Sequence, residues 1–260
     1  MGFVLGGPHA ATFSFNSGNA EITEIYPQSL NNAGQVVGNY YYEFLDPRSG
    51  AFIRSGSTLQ PFNYPGTTST IAYGINDLGQ IIGRYSSTDG THDFFWNGAG
   101  FTPLDYPGSV STSANGINNA GLVVGSYLDS SGGHGFIWNG TGFTSVDYPG
   151  AMSTSLLAIN NRGQILGRYF DGANGHYFLW DGTSFVSFDL PPELASTGGI
   201  SGFNDSDQFV GTYFGTPPVG GFAQHLGFEG TLVPEPSSLA LLSMAAVLLA
   251  GCMRLCRNPQ

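Results

Sequence analysis

Apolar residues along this chain come in short bursts, separated by turns of Asn, Asp and Gly. In one stretch, Ser113 to Ile117, Leu122 to Tyr127, Gly135 to Trp138 and Gly142 to Asp147 predict four strands. The connections are Asn-Asn-Ala-Gly, the loop Asp129-Ser-Ser-Gly-Gly, and Asn139-Gly-Thr, all rich in residues that tolerate the positive φ of tight hairpin turns. Pro149-Gly150 then breaks the run, because Pro has no N–H to give to a ladder. The second strand is apolar on both faces instead of alternating, which implies cover on both sides.

This pattern is one copy of a repeat. Leu30-Asn-Asn-Ala-Gly-Gln-Val-Val-Gly-Asn-Tyr40 returns from Ile75 to Tyr85, from Ile117 to Tyr127, from Ile159 to Tyr169 and from Phe203 to Tyr213. The second glycines stand at 38, 83, 125, 167 and 211, a period of 42 to 45 residues. Units continue with His92-Asp-Phe-Phe-Trp, His134-Gly-Phe-Ile-Trp or His176-Tyr-Phe-Leu-Trp, and close with Leu104-Asp-Tyr-Pro-Gly108 or Val146-Asp-Tyr-Pro-Gly150. Four antiparallel strands per unit, covered on both faces, are what a β-propeller blade requires, since each blade lies between two neighbours. The expected fold is therefore all-β, a propeller of about five four-stranded blades over residues 1–230, with six blades as the main rival and a flat solenoid as second choice. The chain ends the repeats with a partial unit, Gly220 to Phe228. At the other end Thr12 to Phe15 and Glu21 to Tyr26 read as a third and a fourth strand, so that the two termini would complete one blade.

Composition supports this picture and narrows the function. Forty Gly, fifteen Pro and 14% aromatic residues suit short strands and tight turns, and 260 residues bury a full core, about 75% of the unfolded surface. All seven basic residues are Arg; up to residue 230 there are five of them against seventeen acidic residues, a balance of −12. Such a surface cannot neutralise a row of phosphates, so nucleic acid is excluded as a partner. Both cysteines, Cys252 and Cys256, lie in the last nine residues, so the body holds no thiol for a disulfide, a metal or nucleophilic attack.

Candidate chemistry is sparse. His92, His134 and His176 recur one unit apart; they would form a metal ring only if they faced a common axis, and capping a loop is the simpler reading. The acidic loops at Asp129 and Asp171 lack the alternating oxygens and distal Glu of a tight Ca²⁺ loop, which leaves turn chemistry. Asp105, Asp147 and Asp189 also recur, and repeat-related carboxyls share one environment, whereas a glycosidase pair needs two different ones. No serine shows a triad setting in the sequence. No catalytic, cofactor or metal residue is therefore assigned. The expected function is non-catalytic binding of carbohydrate or protein through rim aromatics such as Tyr106, Tyr148 and the tryptophans. The alternative is a secreted hydrolase or lyase working at the propeller channel.

The repeat resembles the bacterial extracellular HAF-type repeats, which run Gly-Ile-Asn, Gly-x-Val-Val-Gly-x-Tyr and His-x-Phe-x-Trp. The resemblance covers roughly residues 9–228 and is good for units two to four; the first unit lacks the Ser-Thr stretch before its Asn-Asn, and the fifth has Asp207 in place of the turn glycine. It implies export and no defined activity. Behind a linker over 231–238, the segment Val233-Pro234-Glu235-Pro236 precedes an apolar run from Leu239 to Met253 and the basic Arg254 and Arg257, with the tail spanning 239–260. Fifteen residues make about 22 Å of helix, short of the roughly 30 Å hydrocarbon core, a gap that snorkelling Arg254 and bilayer thinning would close. The arginines favour a cytoplasmic end and an outward-facing repeat domain. This order resembles the PEP-CTERM sorting signal. That resemblance implies an exosortase as partner, anchoring in the inner membrane before processing, and transfer to the cell surface or an exopolysaccharide matrix. The first nine residues lack the basic and apolar regions of a signal peptide, which suggests a start placed too late or a truncated gene.

The tail reading has a direct test. With a working signal peptide and an exosortase host, replacing Pro234-Glu235-Pro236 by alanines should leave the tagged full-length chain in the inner membrane, and deleting everything after Leu232 should release the repeat domain. An alanine variant shortened and surface-displayed like the original would show that the tail is only an anchor.

Overall fold

The computed structural model describes residues 22–42, 49–67, 69–191, 194, 198–215 and 224–232, and every extended element among them is a β-strand. The first blade comprises β1 (Ile22–Leu30), β2 (Val36–Tyr42), β3 (Ser49–Ser55) and β4 (Thr58–Phe62). The second comprises β5 (Ser69–Ile75), β6 (Ile81–Ser87), β7 (Gly90–Trp96) and β8 (Phe101–Pro103). The third comprises β9 (Ser111–Ile117), β10 (Val123–Asp129), β11 (Gly132–Trp138) and β12 (Phe143–Val146). The fourth comprises β13 (Ser153–Ile159), β14 (Ile165–Phe170), β15 (Gly175–Trp180) and β16 (Phe185–Phe188). A fifth sheet holds β17 (Gly199–Phe203), β18 (Gln208–Gly215) and β19 (Gln224–Thr231). Within each blade sequential strands pair antiparallel, and single parallel bridges, Ser49 to Ser69 and Gly133 to Ser153, tie a third strand to the first strand of the next blade.

Two expectations need correction. Of the segment read as a terminal fourth strand, Glu21 to Tyr26, the described residues 22–26 enter β1 instead, because Ile25 pairs with Tyr40 and Leu30 with Val36, which makes it the first strand of blade one. The five-residue loop at Asp129 is mostly strand: Asp129 pairs with Gly132 and leaves a two-residue turn, Ser130-Ser131. Thr12 to Phe15 and residues 233–260, with the Pro-Glu-Pro motif and the expected membrane helix, lie outside the described residues. Among the described residues no helix is long and apolar enough to cross a membrane.

The core lies between blades. In β10, Val123 joins Ile82, Phe95 and Leu104 of blade two, while the next residue, Val124, joins Leu156, Ile165 and Phe178 of blade four. This is the physical meaning of a strand apolar on both faces: each blade is the floor of one core and the roof of the next. Phe94, Phe136 and Phe178 are fully buried at the same place in three successive blades, each worth about 1.5–3 kcal/mol in transfer from water. Trp96, Trp138 and Trp180 occupy matching register positions opposite Ile81, Val123 and Ile165.

The second motif glycine makes that packing possible. Gly83, Gly125 and Gly167 pair across the strand with Phe94, Phe136 and Phe178. A Cβ on Gly125 would run into the carbonyl oxygen of Ser113 and the ring of Phe136, and one on Gly167 into the ring of Phe178. The turn glycine has a different task. Gly79, Gly121 and Gly163 hold φ of 75°, 76° and 81°, and Asp207, at their place in the fifth unit, takes the same left-handed conformation at 60°.

Gly125→Ala should therefore lower stability by about 2 kcal/mol or more, through overpacking against Phe136. Gly142→Ala, where a Cβ meets nothing within 4 Å, should stay within about 0.5 kcal/mol of the parent. Equal urea midpoints for the two variants would disprove the close-approach account.

Candidate functional site

The two ends of the blade array differ in chemistry. At the end where each first strand turns into the second, an asparagine from each of the first four units reaches to the next. Asn31 Nδ2 donates to the carbonyl of Asn76 at 3.0 Å, Asn76 to Asn118 at 2.9 Å, Asn118 to Asn160 at 3.2 Å and Asn160 to Asn204 at 3.3 Å. The Asn76 Oδ1 meanwhile accepts from the amides of Leu78 and Gln80, closing its own turn. A second tier runs alongside: Asp77 accepts from the Asn32 amide and side chain and from the Asn119 side chain, and these hydrogen bonds hold its carboxyl below the ordinary value. The polar side chains of this ladder are thus engaged with one another and with backbone groups.

The opposite end carries columns of stacked rings. In blade three, Tyr106 lies parallel to Tyr127 with centroids 3.6 Å apart, and Tyr127 stacks on His134 at 5.1 Å. His134 Nδ1 is 2.9 Å from Asp147. Tyr64, Tyr85, His92 and Asp105 repeat the arrangement one blade earlier, and Tyr148, Tyr169, His176 and Asp189 one blade later. Each column crosses a blade boundary, since its first tyrosine belongs to the segment leaving the preceding blade. Burial pushes the Tyr127 hydroxyl up to about 12, and hydrogen bonding to Asp189 raises His176 above its ordinary value.

These contacts place the sequence candidates. The three histidines do not converge; each is held by aspartates of its own blade, and no cluster of three or more His, Cys, Asp or Glu suited to a metal exists among the described residues. Asp105, Asp147 and Asp189 are the histidines' partners rather than turn residues alone, a pairing thirteen positions apart that only the antiparallel register of third and fourth strands creates. Asp129 and Asp171 bind the amides of their own turns. The expected rim aromatics are also engaged: Tyr106 and Tyr148 stand in the columns, and Trp138 is buried against Phe95.

One arrangement escaped the sequence reading. Ser131 Oγ is 2.9 Å from His134 Nε2, whose other nitrogen meets Asp147, so a serine, a histidine and an aspartate stand in line. Ser131 also donates to Asp129 Oδ1 at 2.6 Å, which directs its proton away from the histidine. The same His–Asp pair recurs in two other blades without a serine, with Asp89 or Asp171 beside the second ring nitrogen. The pair is thus a repeated structural element.

Between blades three and four, beside these columns, a groove of about 340 Å³ opens at the same end. Blade three contributes the start of β9 and the end of β10, and blade four the start of β13 and the end of β14. Thr112 and Thr154 in its wall hold the amides of Tyr106 and Tyr148. Ser111, Ser126, Ser153 and Ser155 line it too, and none of their side chains has a hydrogen-bond partner among the described residues. Tyr127, Tyr169, Phe170 and Arg168 complete the walls.

No family model matches this chain, and no curated protein does. Solved structures do. TolB from Acinetobacter baumannii aligns at 10% identity and a TM-score of 0.49, over 73% of this chain, which spans about half (51%) of that protein's length. A catalytically inactive virginiamycin B lyase from Staphylococcus aureus, bound to quinupristin, aligns at 11% identity and 0.43, covering 86% of this chain and 74% of that one. A lectin from Aleuria aurantia, described as a six-bladed β-propeller that recognises fucose, aligns at 12% identity and 0.39, covering 74% and 69%. These likenesses assign neither ligand nor reaction to the present chain.

The histidine columns give a pH prediction. Because the folded-state value of His176 lies above the unfolded 6.5, its contribution to stability is complete below about pH 6.5 and is lost as pH rises through the raised value. The melting temperature should fall over that interval, and less so in His176→Gln. Parallel curves for parent and variant would contradict the assignment.

Proposed function

We propose that this chain is a non-catalytic carbohydrate-binding protein of the bacterial surface or matrix, and that its ligand lies in the groove between blades three and four. The observation that carries the reading is a groove lined by Ser111, Ser126, Ser153 and Ser155, none of whose side chains is hydrogen-bonded among the described residues. A sugar is the ligand whose own hydroxyls both donate and accept at such a surface, and Tyr127, Tyr169 and Phe170 offer apolar area for its ring faces. In this reading the blades form a ring of about five, which the neighbour-to-neighbour asparagine ladder from Asn31 to Asn204 supports. Sorting through Pro234-Glu235-Pro236, with an exosortase as partner and a membrane helix in the tail, accounts for delivery to the surface and rests on the order of motif, apolar run and arginines in the sequence.

The test is a glycan array probed with the full chain in a sugar-free detergent. Binding to a defined set of glycans should be weakened at least about tenfold by Ser126→Leu, which fills the groove with an apolar side chain. Undiminished binding by this variant, with the fold intact, would move the ligand elsewhere; no binding by the parent would reject the carbohydrate reading.

A further inference from the structure

Each seam between blades is built from the same positions, and the side chains there decide how it is filled. On the second strand, the residue two places after Val37, Ile82, Val124 or Leu166 faces the following blade, as those four core residues do. A third-strand residue stands opposite it. Between blades two and three these are Arg84 and Asp93. The Asp93 side chain is fully buried and holds the guanidinium, Nε to Oδ1 at 2.7 Å, while the Ala114 amide of blade three donates to its other oxygen. Arg84 Nη2 continues to Ser113 Oγ of blade three at 3.1 Å. An internal ion pair therefore occupies this seam.

Blade three keeps the strands and changes the side chains. Ser126 stands where Arg84 does, and Gly135 where Asp93 does. A Cβ on Gly135 would come within 2.9 Å of Leu156 Cγ, so a leucine of blade four takes the volume that the Asp93 carboxyl has in the earlier seam. Leu156 is the counterpart of Ala114, since each pairs with the second glycine of its own blade. The exchange of Asp93 and Ala114 for Gly135 and Leu156 is thus balanced in volume, whereas the arginine is replaced by a serine that lines the groove. The outer seams carry larger residues at this position. Asn39 is buried opposite Ala51 and accepts from Gln28, and Arg168 stands opposite the buried Tyr177.

We infer that the groove is the space an arginine fills one seam earlier, and that the protein accordingly binds one neutral sugar per chain, with the residue at position 84 or 126 setting which seam is open. Both members of the charge pair are lost together between blades three and four, so the seam keeps neither a cation nor a carboxylate for a charged ligand to neutralise. This rests on the carbohydrate reading of the groove and adds the number of sites and their origin. Much of the wall already exists at the filled seam: Thr70 opposite Tyr85 and Ser111 beside Thr112 repeat Thr112 opposite Tyr127 and Ser153 beside Thr154. Thr91 stands where blade three has Gly133.

The experiment titrates the full chain in detergent with cellotriose, maltotriose and mannotriose by calorimetry. The parent should bind at one site per chain. Arg84→Ser, Thr91→Gly, Asp93→Gly and Ala114→Leu, made jointly because residues in contact couple, copy the open seam into the filled one and should raise the stoichiometry to two. A milder pair, Arg84→Ser with Asp93→Ala, reproduces the Ala51 and Ala72 core packing of the first seam and serves if the larger graft does not fold. The converse graft, Ser126→Arg with Gly135→Asp and Leu156→Ala, should fold and bind none of the sugars. A folded opening graft that stays at one site, or a parent with more than one, overturns the inference and leaves the groove reading in place. A folded converse graft that binds like the parent overturns both. A parent that binds none of the three sugars rejects the underlying reading and the inference with it.

Discussion

Each blade is tied to the next by one buried amide side chain. Asn76 closes its own turn through Oδ1 and passes Nδ2 to the following blade, so a single residue satisfies both local and inter-blade backbone groups. Asn76, Asn118 and Asn160 are no more than 4% exposed, and a side chain unable to make these bonds would strand several buried polar groups, at about 1–3 kcal/mol each. Asparagine alone combines acceptor, double donor and this reach. A hydrophobic side chain in its place would fill the volume and leave the turn amides of its own blade without this acceptor and the carbonyl of the next blade without this donor.

The ladder fixes spacing at one end of the array, and the apolar layers set it everywhere else. Because Val123 and Val124 belong to different cores, no blade can bury its apolar surface alone. Stability is accordingly shared between neighbours, as in other repeat architectures. The ring columns at the far end serve the same purpose with different chemistry, stacking a tyrosine of one blade on a tyrosine and histidine of the next. A repeat built this tightly leaves little room for chemistry inside a blade, and the accessible features gather where two blades meet.

At one such seam, small departures from the repeat acquire meaning. The exchange of Asp93 for Tyr177 between blades two and four removes the ion pair that Arg84 makes, and Arg168 has none among the described residues. The serines at 126, 153 and 155 are unremarkable strand residues until two blades bring them to one groove. By contrast, Ser131, His134 and Asp147 form a line that resembles hydrolytic machinery, yet its His–Asp half is copied in neighbouring blades as scaffold.

The amino-acid sequence by itself determined the four-stranded unit, its period, the turn glycines and the cover on both faces of the second strand. Those features are local: they follow from φ preferences, from the absence of an N–H in proline and from the periodicity of apolar residues. Even the substitution at Asp207 left the turn unchanged, since aspartate tolerates the left-handed conformation. Only the tertiary structure decided that residues 22–26 enter a first strand, that the recurring aspartates hold the histidines, that the tyrosines and tryptophans are engaged in packing, and that the groove exists. Each of these depends on strand register or on the approach of residues about 42 positions apart, and a linear pattern carries no distance between them.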